Sequence, residues 1–126
     1  MSHFSTIKTK IKNKSELLEA LQLLQYDVQE DQELINPIDH QHEKVKVDVS
    51  IGNDIGFRLN NNGEYELVAD MQTWNQPIPP KRFVEKVTQQ YARMTVHNQI
   101  KEMGFQVEEE WEMDDNSIEL IVTRWD

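Results

Sequence analysis

Apolar and polar residues alternate most regularly between positions 55 and 74, in the segment IGFRLNNNGEYELVADMQTW. Such alternation is typical of strands with one buried face, and the Asn-Asn-Gly sequence between the two halves predicts a hairpin. A two-residue turn at 62–63 would place the apolar residues of the two strands on opposite faces of the sheet. A three-residue loop at 61–63 avoids this, and we therefore predict the pairs Leu59–Tyr65, Phe57–Leu67 and Ile55–Ala69.

The same periodicities predict the remaining elements of an α+β domain. Further strands are predicted over 4–11, from 26, over 45–51, from 105 and at the C-terminus, and helices after Asn13 and over 81–103. Asn13, followed three residues later by Glu16, predicts a capping box. A tight turn at 115–116 predicts the pairs Met113–Ile118 and Trp111–Leu120.

These elements favour one domain over residues 1–126, built as a single, largely antiparallel sheet with both helices packed on one face, loosely ferredoxin-like. Charge gives one further expectation about strand order. Lys8 and Lys10 lie on the exposed side of the first strand, and Glu108, Glu110 and Glu112 lie on that of the strand from 105. Opposite charges on neighbouring strands attract, so we predict that these two strands are neighbours or near-neighbours.

The long helix over 81–103 changes its apolar face part way along. Phe83, Val87, Tyr91 and Met94 form one stripe. A second stripe lies roughly 160° around the helix. Either the helix breaks near Thr95, or its second half is covered by a sheet edge, a loop or a second chain, and we favour an intramolecular cover. If exposed, the second stripe is a candidate partner surface, formed by Val96, Ile100 and Met103.

Composition and charge narrow the functional classes. The chain has 126 residues, and its 23 acidic against 13 basic residues give a net charge of −10. Binding to nucleic acid or to an anionic membrane is favoured by an excess of Lys and Arg, whereas this chain has an excess of acidic residues, so both kinds of binding are disfavoured. Without cysteine there are no disulfides, thiolate metal ligands or cysteine nucleophiles. The chain contains no apolar run of membrane-spanning length, and we expect no membrane insertion.

A basic stripe on the long helix is the clearest candidate binding feature. Four side chains fall within roughly one sixth of the helix circumference: Arg82, Lys86, Arg93 and His97. Such a stripe could bind phosphate or an acidic partner. The alternative is that these side chains pair with the protein's own carboxylates on a solvated face, which is common and energetically minor.

Other candidates are weaker. Asp70 and Trp74, at the end of the hairpin before the proline-rich loop, are candidate binding residues. Asp70 lies on the side opposite Leu67 and Met71, so we favour exposure to solvent or a turn-capping role over catalysis for it. Glu109 falls on the apolar side of its strand, where a carboxylate needs a partner; we favour a sheet margin or a bulge, and the alternative is a functional carboxylate that lines a cleft. Gly56 fits a bulge or close packing. The segment at 39–43, DHQHE, contains several possible metal ligands close together, but no third histidine lies at a fixed spacing from them. We therefore expect neither a metal site nor a cofactor.

Several stretches together resemble the hypothetical chloroplast reading frame 35 family, uncharacterised proteins of red-algal plastid genomes and cyanobacteria. The resemblance rests on the opening residues MSHFSTIKT, on Ile55-Gly56-Phe57, on YELVAD at 65–70, and on Trp74, Tyr91, Gly104-Phe105 and Arg124-Trp125. It spans nearly the whole chain and implies a location in the plastid stroma. The family has no established catalytic or binding residues, so the resemblance implies none here.

The leading hypothesis is a non-enzymatic binding or adaptor protein of the plastid that acts through protein contacts. The alternative is a small-molecule or nucleotide-phosphate binding domain, possibly enzymatic, that uses the basic stripe. A deep pocket with converging polar groups would favour the second. An exposed apolar patch around Val96, Ile100 and Met103 would favour the first.

Overall fold

The computed structural model describes residues 4–35, 44–115 and 117–124. Two helices and seven strands follow one another as β1 (Phe4–Lys8), α1 (Lys14–Leu23), β2 (Val28–Ile35), β3 (Lys44–Ile51), β4 (Ile55–Leu59), β5 (Tyr65–Asp70), α2 (Pro80–Glu102), β6 (Phe105–Glu112) and β7 (Ile118–Arg124). Five strands form an antiparallel sheet in the order β1-β5-β4-β3-β2, and β6 and β7 form a second, two-stranded sheet. The chain is thus α+β.

The predicted single sheet is not confirmed, because among the described residues the strand that follows α2 pairs with β7 alone. The ferredoxin-like arrangement is not confirmed for the same reason. The predicted neighbouring of the first strand and β6 is wrong, since β1 pairs with β5 and Lys8 lies opposite Glu66. The prediction from charge was wrong because the Glu110 carboxylate of β6 forms its ion pair with Arg93 of α2 and not with a lysine of a neighbouring strand.

The β4–β5 hairpin has the predicted register. Its pairs are Leu59–Tyr65, Phe57–Leu67 and Ile55–Ala69. The Asn60 amide donates to the Glu64 carbonyl at 2.8 Å, which leaves a three-residue loop at 61–63. Gly63 has φ +77°, a left-handed conformation that glycine adopts without a steric cost. Local turn chemistry and face matching therefore fix this part of the sheet.

Both helices pack on one face of the five-stranded sheet, as predicted. Leu17 and Leu21 of α1 and Phe83 and Val87 of α2 share one buried cluster with Phe57 and Leu67 of the sheet. Phe83 is fully buried and meets three aromatic rings, with centroid distances of 5.4 Å to Tyr26, 5.4 Å to Trp74 and 6.3 Å to Phe57. Because close-packed aromatic contacts fix orientation as well as burial, this cluster sets the position of α2 on the sheet.

The helix termini are only partly as predicted. Asn13 caps α1, since its Oδ1 accepts from the Ser15 amide at 3.1 Å. The reciprocal half of the capping box is wrong: the Asn13 amide donates to the Tyr91 hydroxyl at 3.1 Å, and the Glu16 carboxylate accepts from the Thr95 hydroxyl. These two contacts join α1 to α2. The alternative of a break near Thr95 is also wrong, because α2 continues to Glu102.

The opposite face of the sheet carries a smaller cluster, in which Leu34 is fully buried with Val47 and Val68. The β2–β3 hairpin must fold back over this face, since the Ile35 amide donates to the Asn53 carbonyl at 3.0 Å. Gly56 permits this approach: an added Cβ would lie 2.8 Å from Val47 Cγ2 and 2.8 Å from the Val49 carbonyl oxygen. The predicted close-packing role of Gly56 is confirmed.

Candidate functional site

The β6–β7 hairpin lies against α2 and is attached to it by charged hydrogen bonds. Arg93 binds the Glu110 carboxylate with two nitrogens, Nε to Oε1 and Nη2 to Oε2, the latter at 3.0 Å. His97 Nε2 lies 3.0 Å from Glu110 Oε2, and Gln89 Nε2 donates to Glu112 Oε1 at 3.2 Å. A two-nitrogen contact between guanidinium and carboxylate also fixes orientation. Glu110 therefore anchors the hairpin to the middle of α2.

A β-bulge decides which glutamate faces α2. The register of β6 against β7 shifts between Val107 and Glu109, so that Val107 pairs with Val122 and Glu110 with Leu120. An extra residue inverts the alternation of side chains beyond it. Glu109, which the simple alternation placed on the apolar side, is exposed. A bulge was one of the two explanations that the sequence favoured for Glu109, and it is confirmed.

The predicted pairing at the hairpin turn is wrong by one residue. Ile118 pairs with Glu112 instead of Met113, and Trp111 pairs with Glu119 instead of Leu120. The Met113 amide donates to the Ser117 carbonyl at 2.8 Å, so the connection spans 114–116, of which residue 116 lies outside the described part of the chain. Trp111 consequently lies with Ile121 on the outer side of the hairpin, each 44% exposed.

The electrostatics of this contact favour its charged form. Hydrogen bonding from Arg93 holds the pKa of Glu110 below its ordinary value, against the opposing effect of burial. The same hydrogen bond raises the pKa of Arg93. The predicted alternative for the basic stripe, pairing with the protein's own carboxylates, is thus observed for Arg93 and His97.

An open groove of about 990 Å³ runs along α2 between β1 and β7. Its polar lining is mainly cationic: five basic side chains and one carboxylate, Glu85, border it. The basic residues are Lys8, Lys10, Arg82, Lys86 and Arg93. The structure therefore brings three of the four stripe residues together with Lys8 of β1 and Lys10 just after it, for which the sequence had predicted a contact with the glutamates of the strand from 105.

Four of these groove cations have no ion-pair partner within residues 4–35, 44–115 and 117–124: Lys8, Lys10, Arg82 and Lys86. All four are exposed, whereas Arg93 is engaged by Glu110. Pairing with the protein's own carboxylates explains the positions of Arg93 and His97 in the basic stripe. It does not explain these four cations. In a chain with 23 acidic residues, such a cluster is an unusual local excess of positive charge.

Apolar side chains form the remainder of the groove lining, and Val96 connects the groove to the second stripe of α2. The apolar lining residues are Ile78, Val84, Ala92, Val96, Ile118 and Leu120. Val96 is 41% exposed and Met103 71% exposed, whereas Ile100 is half-buried. The hairpin thus covers this side of α2 only in part.

Asp70 and Trp74 do not line the groove. Asp70 is 1% exposed, and its Oδ1 accepts from the Gln72 amide at 2.8 Å, which confirms the turn-capping interpretation. Trp74 Nε1 donates to the Ile78 carbonyl at 2.8 Å while its ring packs on Phe83. Both side chains hold the loop that leads into α2.

The candidate metal cluster at 39–43 and His3 lie outside the described residues. Elsewhere, across the ranges that the structure describes, no group of three or more His, Asp or Glu side chains is placed to hold a metal ion. In the same ranges no helix has both the length and the apolar character that crossing a bilayer requires.

Comparison with known proteins assigns the chain to a family. Residues 20–121 match the family model described as "Protein of unknown function (DUF1257)". The chain is 38% identical to the uncharacterized protein ycf35 of Pyropia yezoensis, covering 99% of this chain and 98% of the relative. It is 35% identical to ycf35 of Cyanophora paradoxa, covering 99% of this chain and 98% of that relative.

The resemblance to the chloroplast reading frame is thereby confirmed and supports a plastid location. No solved structure matches significantly. The chain therefore belongs to the DUF1257 family, together with the ycf35 proteins of algae.

Proposed function

We propose that this protein is a non-enzymatic binding protein of the plastid stroma that holds an acidic, partly apolar segment of a partner protein in the groove along α2. The observation that carries this proposal is a cluster of four cations on one groove of a chain whose net charge is −10, none of which has an ion-pair partner among the described residues: Lys8, Lys10, Arg82 and Lys86. A local field opposite in sign to that of the whole molecule selects partners by charge.

The apolar part of the lining favours a protein segment over a simple anion. Val96, Ile118 and Leu120 offer carbon surface between the cationic walls. Removing such surface from water contributes about 25 cal/mol per Å², which a free phosphate or carboxylate cannot obtain. A segment that combines carboxylates with apolar side chains satisfies both parts of the groove. The exposed part of the second stripe, Val96 and Met103, extends the same surface towards the end of α2.

A phosphate-bearing small molecule is the second candidate, since Arg82 and Lys86 lie one turn apart near the beginning of α2. Cations and peptide amides near a helix N-terminus favour a phosphate group. A nucleoside diphosphate that raises the unfolding temperature of the wild-type protein but not of the Arg82→Glu/Lys86→Glu variant would establish this candidate in place of the first.

The proposal is tested by selecting short random peptides on the protein and on two matched variants. Arg82→Glu/Lys86→Glu reverses the groove charges, and Lys44→Glu/Lys101→Glu reverses two exposed charges outside the groove, so both variants acquire the same net charge. We expect wild type and the Lys44/Lys101 variant to enrich peptides that combine Asp or Glu with apolar residues. The Arg82/Lys86 variant should bind these peptides at least about tenfold more weakly.

Two outcomes contradict the proposal. The first is that the selected peptides show no acidic bias. The second is that the two variants lose affinity equally, which would mean that overall charge and not the groove determines binding.

A further inference from the structure

We infer that the acidic segment binds as an extended strand that adds to the free edge of β1. This inference rests on the proposed function, and it specifies the conformation and residue pattern of the partner segment. Two strand edges border the groove: among residues 4–35, 44–115 and 117–124, β1 is the outermost strand of the five-stranded sheet, and β7 pairs with β6 alone. Unpaired strand edges are the usual templates for adding a further strand.

The backbone groups at these edges point towards the groove. The Thr9 amide donates to the Tyr65 carbonyl at 3.2 Å, so Thr9 is bonded to β5. Because neighbouring residues of an antiparallel strand direct their N–H and C=O groups to opposite sides, those of Lys8 lie on the free edge. On β7, Ser117 is bonded to Met113, and the same alternation directs the backbone groups of Ile118 and Leu120 outward. Three of the residues that line the groove, Lys8, Ile118 and Leu120, can therefore pair with an added strand.

The dimensions of the groove fit a short strand. Its lining residues on α2 extend from Arg82 to Val96, a length of about 21 Å at 1.5 Å per helical residue. An extended chain of about six residues covers this length at roughly 3.3 Å per residue. A helix laid in the groove would bond its own backbone internally and leave the edge of β1 unpaired, so only a strand uses the hydrogen-bonding groups present there.

Side-chain alternation on β1 predicts the pattern of the segment. Ile7 packs against the buried core, and Lys8, on the opposite side of the strand, is exposed. A neighbouring strand shares these two sides, so one row of its side chains meets Lys8 and the other faces α2, where apolar side chains lie beside Arg82 and Lys86. The matching segment alternates acidic with apolar residues.

Synthetic peptides test this inference directly. The probe is a fluorescent peptide of alternating Glu and Val, and its derivatives carry N-methyl groups on one or the other alternate set of amides. Because a strand added to β1 donates only alternate amides to that edge, methylating one set should weaken binding at least about tenfold, and methylating the other should have little effect. Equal losses from both sets would overturn pairing with β1. A helix-forming peptide of Glu, Ala and Leu that binds more tightly than the alternating peptide would also overturn it.

A pair of variants at one position separates the backbone from the charge. Lys8→Gln removes the charge but keeps the N–H group, whereas Lys8→Pro removes both, and proline is tolerated on an edge strand where its nitrogen faces outward. We expect Lys8→Pro to bind the alternating peptide at least about threefold more weakly than Lys8→Gln. Equal unfolding temperatures of the two variants would show that the pairing of β1 with β5 is intact. Equal affinities would contradict the inference, and if Lys8→Pro does not fold, the N-methyl series decides.

The proposed function and this inference fail in different ways. If neither the alternating nor the helix-forming acidic peptide binds, the proposed function itself is contradicted. If the helix-forming peptide binds more tightly than the alternating peptide and loses affinity in Arg82→Glu/Lys86→Glu, the proposed function stands and the strand geometry is wrong.

Discussion

Replacing Gly56 with alanine is expected to lower the free energy of unfolding by about 3 kcal/mol. The added Cβ would lie 2.8 Å from both Val47 Cγ2 and the Val49 carbonyl oxygen, closer than real Cβ contacts. Val47 belongs to a well-buried cluster, and the carbonyl is part of the β3 backbone, so neither can move without disturbing the fold of the β2–β3 hairpin. Urea unfolding followed by tryptophan fluorescence measures the difference.

Gly52→Ala is the matched control for this prediction. Gly52 has φ +76°, and nothing lies within 4 Å of an added Cβ, so the substitution introduces backbone strain without a clash. We expect a cost of about 1 kcal/mol. A cost for Gly56→Ala no larger than that for Gly52→Ala would contradict the close approach of Val47 to β4.

Replacing Glu110 with glutamine is expected to lower the free energy of unfolding by about 1.5 kcal/mol at neutral pH. Glutamine cannot carry the charge that binds Arg93 and His97, and these contacts attach the hairpin to α2. Because the pKa of Glu110 is lower in the folded protein than its ordinary 4.5, its stabilising effect is complete above that value and is lost as pH falls through the lowered pKa. Urea unfolding of both proteins at pH about 7 and about 3 should show the difference shrinking in acid.

Glu109→Gln is the control, because Glu109 is the adjacent glutamate but is exposed on the other side of the bulge. We expect it to change stability by less than about 0.5 kcal/mol at either pH. A larger effect at Glu109 than at Glu110 would show that the bulge lies elsewhere in β6.

Local patterns predicted the parts of the fold that depend on neighbouring residues. The β4–β5 register followed from matching apolar faces across a glycine-containing loop. The length of α2 followed from its proline at the start and glycine after its end. In both segments, turn chemistry and periodicity indicate the same structure, so distant contacts were not needed to decide between alternatives.

Contacts between distant segments decided the rest. The alternation in β6 left a sheet margin or a bulge as the explanations for Glu109, and only the fold shows that a bulge is present and that Glu110 then contacts Arg93 and His97. Nothing local in β2 shows that Leu34 folds back onto Val68 of β5. The charge pattern of β1 was interpreted as a strand pairing, whereas Lys8 and Lys10 instead border the groove.

The same division applies to the candidate site. Helical spacing alone gathered Arg82, Lys86 and Arg93 on one side of α2. Only the folded chain shows that Arg93 is paired with Glu110 and that Arg82 and Lys86 have no ion pair among the described residues. It also shows that Lys8 of β1 and Lys10, just after β1, line the same groove. Asp70 and Trp74, which stood out in the sequence, serve the loop before α2.

Mapping the binding surface by amide NMR tests the central claim, an acidic segment in the groove along α2, most directly. On titrating the alternating Glu and Val peptide into isotope-labelled protein, the account predicts the largest shift changes at Lys8, Arg82, Lys86, Val96 and Ile118, which surround the groove. Amides of the outer hairpin face around Trp111 and Ile121 should change little. Shift changes concentrated at Trp111 and Ile121, with the groove amides unmoved, would contradict the account.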